Sequence, residues 1–218
     1  MNNKNLGNTD INHENKLVFS QACENNKYSI LAVLQKELAD TVQVLEVGSG
    51  TGQHSVYFAP ELPHLKWQTS DVLANHAAIH AWHAAYPATN LYAPLAFDLS
   101  SDSVPINTDL NMPYDALFTA NTLHIIDWPL VERLFALAGD ILPSFGKLIV
   151  YGPFNENGQY TSASNQQFDM SLRQRDPNSG IRNKEDILAL ANKHHLMLSN
   201  TYEMPANNQL LIFQKTEN

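Results

Sequence analysis

Three glycines at alternate positions, Gly48, Gly50 and Gly52, stand in the stretch VLEVGSGTGQHS behind an apolar run and the acid Glu46. A glycine-rich turn between a strand and a helix presents backbone N–H groups and a helix N-terminus to a ligand, and the missing Cβ atoms let that ligand come close. With Ser49 and Thr51 between the glycines, such a loop suits a nucleotide-like molecule. Two more acids follow apolar runs, Asp71 in LKWQTSD and Asp98 in AFDLS. An ionised carboxylate only accepts hydrogen bonds, so it suits hydroxyl or amino groups, and a cis-diol can give one carboxylate two bonds of ~1.5–3 kcal/mol each. His124, in ANTLHIIDW, can take a proton at neutral pH.

Two ligand families use this loop geometry. The dinucleotide fingerprint G-x-G-x-x-G needs a third glycine for close helix packing. Counted from Gly48 that position is Gln53, and counted from Gly50 it is Ser55. The dinucleotide pattern fits poorly.

The elements that must position these residues follow from hydrophobic period. ACENNKYSILAVLQKELAD spaces Tyr28, Leu31, Leu34 and Leu38 as a helix. VQVLEVG is a short β-rich run, QHSVYFAPEL a helix stopped near Pro63, LKWQTSD a strand, VLANHAAIHAWHAAYP a helix and LYAPLAFDLS a strand. YDALFTANTLHII, the helix PLVERLFALAGDIL opening on Pro129, and GKLIVYGPF continue the alternation. Strands alternating with helices of ~10–15 residues predict parallel βαβ units in an α/β, Rossmann-like, doubly wound sheet. HLMLSNTYEMP and NQLLIFQKT are joined only by a short link with no room for a crossover helix, so they should pair antiparallel. The expected fold is a seven-stranded, mainly parallel sheet with a C-terminal antiparallel hairpin. Such a sheet binds ligands at the C-terminal edge of its strands, which gathers Glu46, Asp71 and Asp98.

Residues 155–183 exceed the ~12–15 residues of ordinary loops and mix Phe168, Met170, Leu172 and Ile181 with polar residues. They predict a folded lid with a short helix at SNQQFDMSLRQR. Residues 1–22 read as a flexible arm and residues 23–218 as one domain.

A net charge of −9 and the lack of a Lys/Arg cluster argue against general nucleic-acid binding. No apolar run of ~18 residues suggests a membrane span, and the polar stretch MNNKNLGNTDINHENK lacks the apolar centre of a secretory signal. The single cysteine, Cys23, fits a reducing, cytoplasmic location. His76, His80 and His83 share a helical face at a spacing zinc can use, but no Cys or acid completes a set. They read as a solvated face, and no metal is expected.

The order E-V-G-S-G-T-G, with Asp71 and Asp98 after it, resembles the first motifs of class I S-adenosylmethionine-dependent methyltransferases. That resemblance implies S-adenosyl-L-methionine as cofactor. Glu46 would organise its methionine end, with Gly48, Ser49, Gly50, Thr51 and Gly52 cradling it. Asp71, beside Val72, would take the ribose hydroxyls, and Asp98, beside Leu99, the adenine. Asn121 is implied as a pocket wall or cofactor contact. His124 stands where this class brings acceptor and cofactor together, as a candidate general base or a packing residue.

The segments ACENNKYSIL, SGTGQHSVYFA, GPFNENGQYTSASNQQFDMSLRQRDPNSGIRNKEDI and MPANNQLLIF resemble the DUF938 family, which includes methyltransferase-like protein 26. The resemblance covers nearly everything from Cys23 onward. In the lid, Asn155, Thr161, Ser162, Ser164, Asn165, Asp169, Arg173, Arg175 and Asp176, with Asn207 of the hairpin link, are the candidate acceptor pocket. Asp169 and Arg173, at i and i+4, fit equally a surface helix pair worth ~0.2–0.5 kcal/mol. Where amino-group methyltransferases of nucleic acids and glutamine carry (D/N)PP(Y/F), this chain has TANTL. With the acidic charge, that points to a small-molecule acceptor. The expected function is methyl transfer to that acceptor. Its alternatives are a non-catalytic binder of the cofactor or of S-adenosylhomocysteine, and a nicotinamide dehydrogenase.

Overall fold

The computed structural model describes residues 17–110 and 113–217. Residues 1–16, most of the expected arm, lie outside the described residues. Helix α1 (Gln21–Glu37) opens where the Ser20 hydroxyl accepts the Cys23 N–H at 3.3 Å, satisfying one of the orphan donors of its first turn. Ahead of it, Trp82 Nε1 donates to the Val18 carbonyl (2.7 Å), and Ser20 and Gln53 exchange two hydrogen bonds.

The alternating elements are β1 (Gln43–Val47), α2 (Gln53–Glu61), β2 (Lys66–Asp71), α3 (His76–Ala85), β3 (Leu91–Ala96), β4 (Ala116–Ala120), α4 (Trp128–Ile141) and β5 (Lys147–Asn155). Asp127 caps α4 by accepting the Leu130 N–H, and Pro129 sits in the first turn, where its missing N–H costs nothing. The lid stretch forms α5 (Ala163–Arg175) and the two-residue β6 (Arg182–Asn183). Then come α6 (Lys184–Lys193), β7 (Leu196–Met204) and β8 (Asn208–Lys215). Among the described residues no helix is long and apolar enough to cross a membrane.

The strand order is β3-β2-β1-β4-β5-β8-β7, with β6 added to β5. Strands β1 to β5 pair in parallel, and β8 runs antiparallel to both β5 and β7. This is the anticipated sheet, with the two-residue β6 added to it. The hairpin inserts its second strand against β5. β8 is buried almost throughout, whereas Met197 to Thr201 of β7 are exposed, so the more apolar strand takes the interior place.

Side chains alternate between two layers along the strands. Leu45, Val47, Leu148 and Val150 pack with Phe135 of α4 and Ile187 of α6. Val44, Phe118 and Ile149 pack on the other face with Leu34 of α1 and Phe58 of α2. The same period puts Glu46 on the side of Val44. There Phe58, Trp67 and Phe118 form a triangle with centroids 5.7 to 5.9 Å apart. Such pairs add ~0.5–1.5 kcal/mol each beyond their buried area. The first acid of the loop is therefore rooted in an aromatic core.

Candidate functional site

The loop after β1 is tied to β2 by the N–H groups of Gly48 and Ser49, which both donate to the Ser70 carbonyl (3.0 and 3.1 Å). All three of its glycines have left-handed φ values. At Gly52 a Cβ would lie 3.1 Å from the Ile79 backbone, so glycine lets α3 approach the loop. At Gly50 (φ 60°) nothing among the described residues lies within 4 Å of the Cβ position, so they leave that face of the loop open. Gly50 also donates to Asp71 Oδ2 at 2.7 Å. Thr122, the residue after Asn121, comes within 3.1 Å of the Cβ position of Gly48. The loop thus touches both the end of β2 and the turn after β4.

Glu46 is 2% exposed. Its Oε2 accepts from Ser49 Oγ (3.1 Å) and Trp67 Nε1 (3.2 Å), and Oε1 has no protein partner among the described residues. Burial, aided by the nearby Asp71 charge, pushes its pKa up to about 7 against the pull of those two donors. Asp71, also buried, accepts on Oδ1 from the Val72 N–H (2.7 Å) and Asn75 Nδ2 (2.8 Å). Asp98 is exposed and closes its own turn, its Oδ1 accepting from the Ser100 N–H and Oγ (2.8 and 2.7 Å). The Ser100 hydroxyl, then its N–H, hold the Asp98 carboxyl below its usual range. Val72 is exposed on the rim, and Leu99 is buried in the core.

Beyond Asn121, whose left-handed backbone (φ 58°) donates to the Tyr151 carbonyl at 2.9 Å, lies a cavity of about 330 Å³. Asn121, Tyr151, Asn165 and Phe168 line it. Of the residues expected there from the lid and hairpin link, Ser164 and Asn165 are on the wall and the others are not. Asn207 supports it, its carbonyl accepting Asn165 Nδ2 (3.1 Å) while its neighbours Ala206 and Asn208 reach the wall.

The other lid residues serve the lid itself. Ser162 caps α5, Thr161 Oγ1 accepts from Asn165, and Asn155 Nδ2 reaches the Ile181 carbonyl while its buried Oδ1 has no partner among the described residues. Asp169 is neither cavity wall nor half of a surface pair. It is 1% exposed and accepts from Tyr160 Oη (2.8 Å), Arg173 Nε (2.8 Å) and the Ile181 N–H (2.7 Å). Burial would raise its pKa, but the bonds from Arg173, Tyr160 and Ile181 prevail and hold it low. One carboxylate ties the segments on both sides of α5 to that helix.

His124 is buried behind Phe168, its ring edge-on at 5.3 Å, and is not on the cavity wall. Burial, and secondarily the charge of Arg182, lower its pKa to about 4. The ring is therefore uncharged at neutral pH and a weak base. The three histidines of α3 are not a uniform solvated face. His76 Nε2 bonds the Asp71 carbonyl (3.0 Å), His83 bonds Ser55 Oγ (3.1 Å), and only His80 is exposed.

Asn25 and Asn26 of α1 also line the cavity and were not anticipated. Their signal was faint: two adjacent residues of poor helix propensity in the first turns of a helix, where a cap usually accounts for them.

Residues 17–215 match the family model described as "Protein of unknown function (DUF938)". The chain belongs to the DUF938 family. Among solved structures, this DUF938 chain is similar to an O-methyltransferase family protein from Burkholderia thailandensis, with TM-score 0.73 and 14% identity over 88% of this chain and 57% of that one. It is also similar to human N-acetylserotonin methyltransferase in complex with SAM, with TM-score 0.76 and 13% identity over 90% of this chain and 53% of the other. A third is the S-adenosylmethionine-dependent methyltransferase SibL, with TM-score 0.74 and 18% identity over 90% and 56%. The DUF938 chain spans little more than half the length of these proteins and shares their methyltransferase fold.

Proposed function

We propose that this DUF938 protein transfers a methyl group from S-adenosyl-L-methionine to a small-molecule acceptor. One arrangement carries the reading. Gly50 bonds Asp71, and Gly48 packs on Thr122, the neighbour of Asn121 on the cavity wall, so the glycine loop touches both the acid after β2 and the turn that borders the cavity. The likeness to solved methyltransferases, one of them complexed with SAM, supports the same reading.

The donor groups fit such a cofactor. A carboxylate has about four lone-pair sites. Asp71 uses three, which leaves room for one ribose hydroxyl, and a second if the Asn75 amide turns away. Glu46 Oε1 and Asp98 Oδ2, each without a protein partner among the described residues, suit the ammonium of the methionine end and the adenine amino group. When bound, the cofactor supplies a methyl group already activated on a sulfonium. The protein then contributes alignment, worth ~7–11 kcal/mol for near-attack geometry. Asn121 stands between loop and cavity, the lid excludes water, and His124 acts as an uncharged brace for Phe168. The cavity, at the small end of the ~300–1,000 Å³ range of ligand sites, suits a small molecule.

The test is incubation with the cofactor and a metabolite panel. S-adenosylhomocysteine and a methylated acceptor should appear together. Cofactor binding with no methylated product across the panel would make the protein a binder, and affinity for nicotinamide nucleotides alone would overturn the cofactor.

A further inference from the structure

The cavity wall carries no charged side chain and no histidine among the described residues. Its polarity comes from five asparagines, Asn25, Asn26, Asn121, Asn165 and Asn208, with Ser164 and the Tyr151 hydroxyl. Two of these groups have fixed polarity. Asn165 Nδ2 gives its hydrogens to Thr161 Oγ1 (3.0 Å) and to the Asn207 carbonyl (3.1 Å). A carbonyl can only accept, so the amide cannot be flipped, and Asn165 Oδ1 remains as an acceptor without a protein partner among the described residues. On the other side, His54 Nε2 bonds Asn26 Oδ1 (2.7 Å), which makes that oxygen the acceptor and leaves the Asn26 Nδ2 hydrogens to give.

We propose that this cavity selects an uncharged acceptor molecule: an apolar ring, seated by Phe168 and Pro153, bearing a group that both donates and accepts a hydrogen bond. Carboxylate and ammonium analogues of the same ring are rejected. A charge desolvated on this wall finds no counter-charge, and that cost falls on the ion alone. The surroundings agree. Burial lowers His54 to a pKa of about 4 and raises the Cys23 thiol and the Tyr151 phenol, so all three are neutral at pH 7. Lys27 of α1 is turned to Glu24 and to the rings of Tyr28 and Tyr57.

The inference rests on the methyltransferase reading only in calling the ligand an acceptor, and its test needs no turnover. The full chain is titrated with 4-hydroxybenzamide, 4-hydroxybenzoate and 4-hydroxybenzylamine by ligand-observed NMR, with and without S-adenosylhomocysteine. The amide should bind at least about tenfold more tightly than either ion, and Asn165→Asp should shift preference to the ammonium. Either ion matching the amide overturns the inference, as does failure of all three to bind at millimolar concentration. So does an unchanged order in a folded Asn165→Asp. Preference for the amide without any affinity for S-adenosylhomocysteine refutes the methyltransferase reading alone. Affinity for S-adenosylhomocysteine with preference for an ion refutes only the cavity assignment.

Discussion

Replacing Asp71 by asparagine keeps the side chain's shape and removes its charge and one acceptor. In the native protein Oδ1 accepts two donors, from Val72 and Asn75, and Oδ2 accepts the Gly50 N–H. The asparagine oxygen takes the two-donor side, so its NH₂ meets the Gly50 N–H donor to donor. One charge-assisted bond of ~1.5–3 kcal/mol is lost and two others weaken towards neutral strength. The sum is roughly 2–4 kcal/mol, which lowers Tm by on the order of 10 °C at ~2–4 °C per kcal/mol. The site also loses a charge-assisted bond to a ribose hydroxyl, which weakens cofactor affinity by roughly 10- to 150-fold. Thermal denaturation reads the first effect. Calorimetric titration with S-adenosylhomocysteine, at a temperature where the variant is folded, reads the second. Asn75→Ala is the control, since it removes a competing donor and keeps the charge. It should bind the ligand at least as well as the native protein. An Asp71→Asn protein that melts and binds like the native one refutes the Gly50–Asp71 geometry, and one that melts lower but binds equally refutes the ribose role alone.

Burial raises Glu46 from 4.5 to about 7, so its protonated form stabilises the fold below pH 4.5, and this stabilisation is lost as pH rises to 7. Glu46→Gln keeps an acceptor for Trp67 and Ser49 and should gain roughly 3 kcal/mol on the native protein between pH 5 and pH 8 in urea denaturation. His54 and His124 run the other way. Their lowered values near 4 favour the fold above pH 6.5 and cease to do so as pH falls to 4. At roughly 3 kcal/mol each they outweigh Glu46, so the urea midpoint should drop between pH 7 and pH 4.5; the paired His→Gln variant leaves His83, also lowered to about 4, to offset Glu46 and should flatten that drop. His124 should also leave no break near pH 6.5 in the rate of methyl transfer, and a break abolished by His124→Gln would restore it as the base. Finally, a Cβ at Gly180 falls 2.3 Å from Arg173 Nη2 and 2.8 Å from Asp169 Oδ1. Gly180→Ala should therefore open the lid clasp, raising amide exchange across residues 160–181 while S-adenosylhomocysteine affinity holds.

Periodicity and connection length were enough to foresee the sheet, because both are local properties and a parallel crossover leaves few topologies. The loop and its acids were readable for the same reason: the architecture itself brings strand ends to one edge. What escaped depends on contacts between distant segments. Asp169 and Arg173 showed their i, i+4 spacing, but the burial of Asp169 arises from Tyr160 and Ile181 in the flanking turns. Asn26 reads as a helix residue until His54 and Tyr151 are seen beside it. His124 follows β4 as read from the chain, yet Phe168, forty-four positions later, stands between it and the cavity.

The seating of β8 between β5 and β7 has a consequence for how the protein is made. The edge of β5 that carries Leu148 to Pro153 is paired by residues 208–213, which leave the ribosome later. At ~5–20 residues per second the delay of some sixty residues lasts roughly 3–12 s. Through that interval an apolar strand edge stands open in the nascent chain, the kind of surface that recruits other strands. Closure comes in one step with β8, so the emerging protein passes from templating edge to finished sheet on the arrival of eight residues.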